Sequence, residues 1–262
     1  MRIAGDNPAS VALESLRASL PEGALVVTTL GNIDLSTGDY AEMARRPLEA
    51  ERTALIVVDI QEKLLPPIFQ KEQLLRNSTL LIRLAGILKM PVLMTTQYAK
   101  GLGSTVPEIA SLLPETTAID KQEFSCFGSD GFCSTLKRLP GNRNTLLLCG
   151  MESHICVMQT ALGALREGYV VHVASDAVGS RTEWNWKIGL DRMRSAGAVI
   201  SSTEMATYEL IRSSAAPAFQ RAFAASKIEA KDSPVKAGKQ RGLLNGIIES
   251  IKQLPVLRRH PA

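Results

Sequence analysis

The sequence predicts an α/β protein: a doubly wound, mainly parallel sheet of six strands in a Rossmann-like three-layer α/β/α arrangement. Two observations carry this. Short aliphatic runs recur along the chain, for example ALIVV at 54–58, TLLLC at 145–149 and the YVVHVAS run at 169–175. Continuous apolar runs of this length read as strands buried on both faces, which is the signature of a parallel sheet. Between them lie segments with helical spacing of apolar residues, so that strand and helix alternate.

Composition bounds the rest. The chain has 262 residues, of which 45% are hydrophobic and 21% charged, enough for one sizeable core. No apolar run approaches the length that spans a bilayer, so no membrane partner is expected. The N-terminus MRIAGDNPAS lacks the apolar core of a signal peptide, and four cysteines are too few for a disulfide scaffold, so a cytoplasmic protein is expected. The net charge is +4, but it is unevenly placed. From Ser214 onward there are nine Lys/Arg against three Asp/Glu, which leaves 21 against 23 before it. The basic tail has Phe219 and Phe223 as its aromatics, so no nucleic-acid partner is expected.

In chain order, residues 1–50 read as an N-terminal extension without a chemical motif. Residues 51–213 read as the catalytic body. Ala54–Val58 is its first strand and ends at Asp59; alone, that carboxylate reads as readily as a turn cap. Leu74, Leu75, Leu81, Leu84 and Leu88 give Gln73–Lys89 an apolar helical face, and Pro91 ends it. Pro91–Thr95 is the second strand. Gln97–Pro107 is a glycine-containing loop beyond a strand's carboxyl end, which makes Gln97 and Tyr98 candidates for substrate contact. Thr117–Gln122, with Lys121, is the third strand. Phe127, in the following FSCF segment, is a further contact candidate. Ser129-Asp130 caps a helix to about Leu139. Thr145–Cys149 is the fourth strand, and Cys156 opens the next helix, where unpaired N–H groups and the helix dipole favour a thiolate. Tyr169–Ser175 is the fifth strand, Thr182 caps the helix Trp184–Ser195, Ala198–Ser202 is the sixth strand, and Thr203 caps a last helix to Ile211. Residues 214–262 read as a basic tail holding an amphipathic helix at Gly242–Leu254, suited to docking on the body or on a neighbouring subunit. A homo-oligomer with the terminal extensions at its interface is therefore expected.

Three spans stand out: ALIVVDIQEKLL (54–65), KQEFSCF (121–127) and LLLCGMESHICVMQTALGALREGY (146–169). Together they resemble the isochorismatase-like cysteine hydrolase family over roughly residues 53–211. The stretch PVLMTTQYAKGLGSTVPEI (91–109) is similar to the isochorismatase domain-containing proteins within that family. The resemblance implies an isochorismatase-like sheet and a Cys156–Asp59–Lys121 triad. Asp59 would take the thiol proton, Lys121 would favour the thiolate, and Cys156 would attack the carbonyl of a small amide or related compound to form a thioester. It also implies a cis peptide at Met151–Glu152 and an oxyanion site built from the N–H groups of Glu152 and Cys156. Nicotinamidases of the family carry metal-binding histidines after the second strand. Here that region, QYAKGLGSTVPE, has none, so neither a metal nor another cofactor is expected. True isochorismatases lack the cysteine, which argues against vinyl-ether hydrolysis. The long terminal extensions keep a second class open, a catalytically silent binding or scaffolding protein with the same fold. His154 could form a dyad with Cys156, although the resemblance assigns the base to Asp59. Cys126, Cys133 and Cys149 read as packing residues.

Overall fold

The computed structural model describes Arg45 and residues 47–222. The helix at Gly242–Leu254 and most of both extensions lie outside the described residues. Six strands form one parallel sheet in the order β3-β2-β1-β4-β5-β6. They are β1 (Thr53–Val58), β2 (Val92–Gln97), β3 (Ile119–Lys121), β4 (Thr145–Met151), β5 (Val170–Gly179) and β6 (Val199–Ser201). The longer helices are α1 (Lys71–Leu88), α4 (Asp130–Lys137), α5 (Cys156–Arg166), α6 (Glu183–Ser195) and α7 (Thr203–Ile211); two single turns, α2 (Ala99–Leu102) and α3 (Pro107–Ala110), lie between β2 and β3.

Strand residues alternate between two cores, because successive side chains point to opposite faces of a sheet. Leu55 and Val57 of β1 join Leu74, Leu81 and Leu84 of α1 and Leu210 of α7. Ala54, Ile56 and Val58 join Phe132 of α4, Val157 and Ala161 of α5, and Met193 of α6. β1 is buried along its whole length, as its unbroken aliphatic composition requires. Leu48 belongs to the first core, and Ala216, Phe219 and Ala222 pack against it, so the packed body runs past both ends of 51–213.

The element ends show which local signals were sufficient. The Ser129 hydroxyl accepts from Phe132 N at 3.4 Å, and that of Thr182 from Asn185 N at 3.2 Å, as N-caps do. At α7 the cap is Ser202, which accepts from Met205 N at 3.1 Å. Thr203, expected as the cap, is the first helical residue instead, and its amide and hydroxyl both donate to Asp176. β5 runs four residues beyond its expected end. It does so through an irregularity opposite Leu148–Gly150, after which Gly150 pairs with Val178 and Met151 with Gly179. An irregularity of this kind breaks the simple pattern that marks a strand in sequence.

Among the described residues no helix is long and apolar enough to cross a membrane. A cleft at the amino ends of the strands, lined by Glu49, Arg52 and His172, opens on the side of the sheet away from Asp59 and Cys156.

Two predictions follow from the packing. Gly150 has φ +120°, and a Cβ there would lie 2.0 Å from the Val58 carbonyl oxygen. Gly150→Ala should therefore cost about 3 kcal/mol or more in urea unfolding; a loss below about 0.5 kcal/mol would refute the close approach. His172 is buried, its Nδ1 has no partner among the described residues, and burial lowers its pKa against an opposing effect of Glu209. The unfolded chain therefore binds a proton near its ordinary value of about 6.5 while the folded chain does not. Stability should fall as pH drops below about 6.5, and His172→Gln should flatten that part of a melting-temperature profile.

Candidate active site

β1 leads to β2 on one side of itself, and the chain later returns to β4 on the other. Crevices at such switch points, beyond the strands' carboxyl ends, are where doubly wound folds bind ligands. Asp59 follows β1 directly, and the turn from Glu152 to Cys156 follows β4, its neighbour in the sheet. Lys121 ends β3 and Gln97 ends β2, and the two are paired in register. The backbone bends sharply at these ends. Asp59 (φ 50°) and Tyr98 (φ 42°) both adopt the left-handed conformation, which Asp tolerates better than most residues.

Asp59 and Lys121 form an ion pair of 2.8 Å with both side chains fully buried. The other carboxylate oxygen accepts from the Thr95 hydroxyl at 2.7 Å. Lys121 Nζ also donates to Gln97 Oε1 at 2.8 Å and to the Phe124 carbonyl at 3.4 Å. Burial disfavours the ammonium. Asp59, with smaller contributions from Cys126 and Cys156, outweighs it and raises the lysine pKa. Lys121 is therefore a fixed cation in the neutral range.

Cys156 is 6% exposed and sits at the first residue of α5. Its thiol donates to Gln97 Oε1 at 4.0 Å, and the Asp59 carboxylate is near enough to act on it electrostatically. Burial, and then the Asp59 charge, push the thiol pKa up; Lys121 pulls it down by less. Burial and Asp59 thus oppose the thiolate that the helix terminus and Lys121 favour. The thiol is the favoured form at rest, and its hydrogen-bond acceptor is Gln97 Oε1. The other buried thiols, Cys126 and Cys149, are raised by burial to about 11 and about 12.

The turn before Cys156 contains a cis peptide between Met151 and Glu152. The Glu152 carbonyl accepts from Ile155 N at 3.0 Å and Val157 N at 3.2 Å. The N–H groups of Glu152 and Cys156 donate to no acceptor among the described residues. The Glu152 carboxylate is tied to Arg181 through the backbone N and Nε, each at 3.0 Å. His154 is turned away from a dyad with Cys156: its Nδ1 bonds the Ser180 hydroxyl at 3.0 Å, and that hydroxyl in turn bonds Ser153.

The substrate-contact candidates separate. Gln97 is buried within the cluster. Tyr98 is 45% exposed at the rim, with its ring over Gly101. Phe127 packs edge-on to Phe132 and against Tyr169, a contact on the helical side of the second core. Trp184 is exposed, whereas Trp186 donates to the Ser175 carbonyl. Thr95 and Gln61 are the residues that sequence reasoning did not single out. The Gln61 amide accepts from Gln97 N at 2.7 Å and donates to the Gln97 and Gly103 carbonyls at 3.1 and 2.8 Å. A signal existed for both: each is a polar residue in or beside an aliphatic strand, where burial demands a partner. No group of three or more His, Cys, Asp or Glu suited to a metal occurs among the described residues.

Removing one member of a buried pair strands the other charge. Lys121→Met should destabilise the fold by about 3–5 kcal/mol, and the double variant Asp59→Asn/Lys121→Met should recover part of that loss in denaturant unfolding. A purely additive double variant would refute the coupling.

Comparison with known proteins matches residues 53–205 to the isochorismatase domain model. The secreted isochorismatase effector Isc1 of Phytophthora sojae is 39% identical over 171 residues, covering 64% of this chain and 81% of that protein. Isochorismatase domain-containing protein 2 of Danio rerio is 35% identical over 175 residues, covering 66% and 86%. The solved MAR1 ribonuclease of Caenorhabditis elegans superposes with a TM-score of 0.64 at 31% identity, over 75% of this chain and all of that one. A family model that spans most of the described residues, relatives matched over most of their own length, and the six-stranded sheet agree, and the chain belongs to the isochorismatase domain family of hydrolase-fold proteins.

Proposed function

We propose that the chain is a cysteine hydrolase acting on a small amide or related carbonyl compound, with Cys156 as nucleophile, Asp59 as base and Lys121 as fixed cation. The observation that supports this most is the fully buried Asp59–Lys121 pair with the Cys156 thiol beside it, close enough for the Asp59 charge to act on the thiol. In this reading the thiol proton moves to Asp59 as sulfur bonds the substrate carbonyl carbon, and the carbonyl electron pair moves onto oxygen. The N–H groups of Glu152 and Cys156 would receive that oxyanion. The tetrahedral intermediate then collapses. The C–N bond breaks, Asp59 returns its proton to the leaving amine, and water hydrolyses the thioester in a second addition. Lys121 keeps the site near neutral while the proton moves.

The site around Cys156 offers few donors for a charged substrate, since Lys121 is fully engaged and Arg181 is paired with Glu152. A small uncharged amide fits this chemistry. Assembly as a homo-oligomer belongs to the same proposal: Trp184 and Ile188, one turn apart on α6, expose large apolar surface.

Iodoacetamide should modify Cys156 before Cys149 and Cys126, read by peptide mass mapping at neutral pH. A panel of small amides should leave a thioester adduct on Cys156 by intact mass, and Cys156→Ala should lower turnover of any active member by about 10³-fold or more. Equal, slow modification of all buried cysteines would remove the nucleophile. Turnover that survives Cys156→Ala would reject the mechanism outright.

A further inference from the structure

Lys121 has three N–H bonds, and each already has an acceptor: Asp59, Gln97 and the Phe124 carbonyl. The Gln97 oxygen that takes one of them is the same atom that lies 4.0 Å from the Cys156 sulfur. The orientation of this amide is settled by its other end, since Nε2 donates to the Gln122 carbonyl at 2.7 Å. A flipped amide would set NH₂ against the lysine ammonium and carbonyl against carbonyl. The backbone is held as firmly: Gln61, fully buried two residues beyond Asp59, bonds both the N–H and the carbonyl of Gln97.

We propose that Gln97 is a positioning residue: it occupies one Lys121 donor and turns a carbonyl, instead of an ammonium, toward the Cys156 sulfur, so that the nucleophile is held as a thiol at rest. The inference rests on Cys156 being the nucleophile. The negative end of a carbonyl dipole beside sulfur disfavours the thiolate, whereas a free ammonium N–H in its place favours it. The span Asp59-Ile60-Gln61 then has two functions. Asp59 is the base, and Gln61 sets the residue that restrains the cation. Gln97 makes its effect through Lys121 and the local dipole, without any need to touch the substrate.

The test uses the full-length protein and the rate of Cys156 carbamidomethylation by iodoacetamide, followed from pH 6 to 10 by peptide mass mapping. Gln97→Met removes the carbonyl at nearly constant volume; Gln97→Glu puts a charge in its place. Gln97→Met should move the pH midpoint down by about one unit, a roughly tenfold faster reaction on the rising limb. Gln97→Glu should move it up. Melting curves establish that each variant is folded, and either variant alone suffices to read the direction. A folded variant with the wild-type profile, or two variants shifted the same way, would overturn the inference while leaving the nucleophile assigned. Failure of the wild-type Cys156 to react ahead of Cys149 would overturn the nucleophile assignment and this inference with it.

Discussion

The buried contact between Asp59 and Lys121 is the constraint around which the rest of the site is arranged. Taking two charges out of water costs several kcal/mol per ion, and their attraction repays this only where geometry is good and the remaining hydrogen-bonding capacity is satisfied. Here it is satisfied one bond at a time. Thr95 takes the free carboxylate oxygen, and Gln97 and the Phe124 carbonyl take the remaining lysine donors. A hydrophobic pair of similar volume would serve stability as well or better. The polar arrangement is accounted for by the thiol beside it, because in the proposed mechanism Asp59 is the base that takes the Cys156 proton.

Topology makes the contact possible. Asp59, Gln97 and Lys121 come from three successive strands of one half of the sheet, and Cys156 comes from the first strand-helix junction of the other. Side chains separated by as many as 97 positions in sequence meet because parallel strands end at one edge and the winding reverses between β1 and β4. The close approach at Gly150 shows how tightly the two halves are joined there. β1 and β4 run in register from Thr53 and Thr145 to Val58 and Gly150, and the carbonyl of Val58 lies where a side chain would be. The turn that leads to Cys156 begins one residue later, on a strand with no freedom to shift.

Much of this was legible in the sequence, and the reasons differ by element. β1 and β4 are unbroken aliphatic runs, so burial on both faces left no competing assignment. Ser129 and Thr182 cap helices because a hydroxyl before an amphipathic run has a free amide to accept from. β5 was cut short because Asp176 and Gly179 look like loop residues. The irregularity opposite β4 lets them remain in the strand, and Asp176 is held by Thr203. Asp59, Lys121 and Cys156 were marked by their position at strand ends and by family resemblance. Gln61 and Thr95 were not marked, because what distinguishes them is a partner on another strand, and partners across a sheet have no spacing to read. Phe127 was a reasonable candidate by proximity to Lys121 in sequence, but the 3-10 turn at Cys126–Gly128 sends its ring toward Phe132 and Tyr169.

The charge state of Cys156 shows why position alone does not decide reactivity. A helix N-terminus and a nearby lysine both favour a thiolate, and both are present. Each is a partial effect: the dipole amounts to about half a charge at the terminus, and the lysine is already neutralised by a carboxylate at 2.8 Å. Against them stand loss of solvent and the negative charge of nearby Asp59. The balance therefore favours S–H at rest, and in the proposed mechanism Cys156 becomes reactive by handing its proton to Asp59 as the bond to carbon forms. Such a site needs no standing thiolate. In the proposed mechanism it needs a base fixed in the interior, and the lysine and threonine that bond Asp59 hold it there.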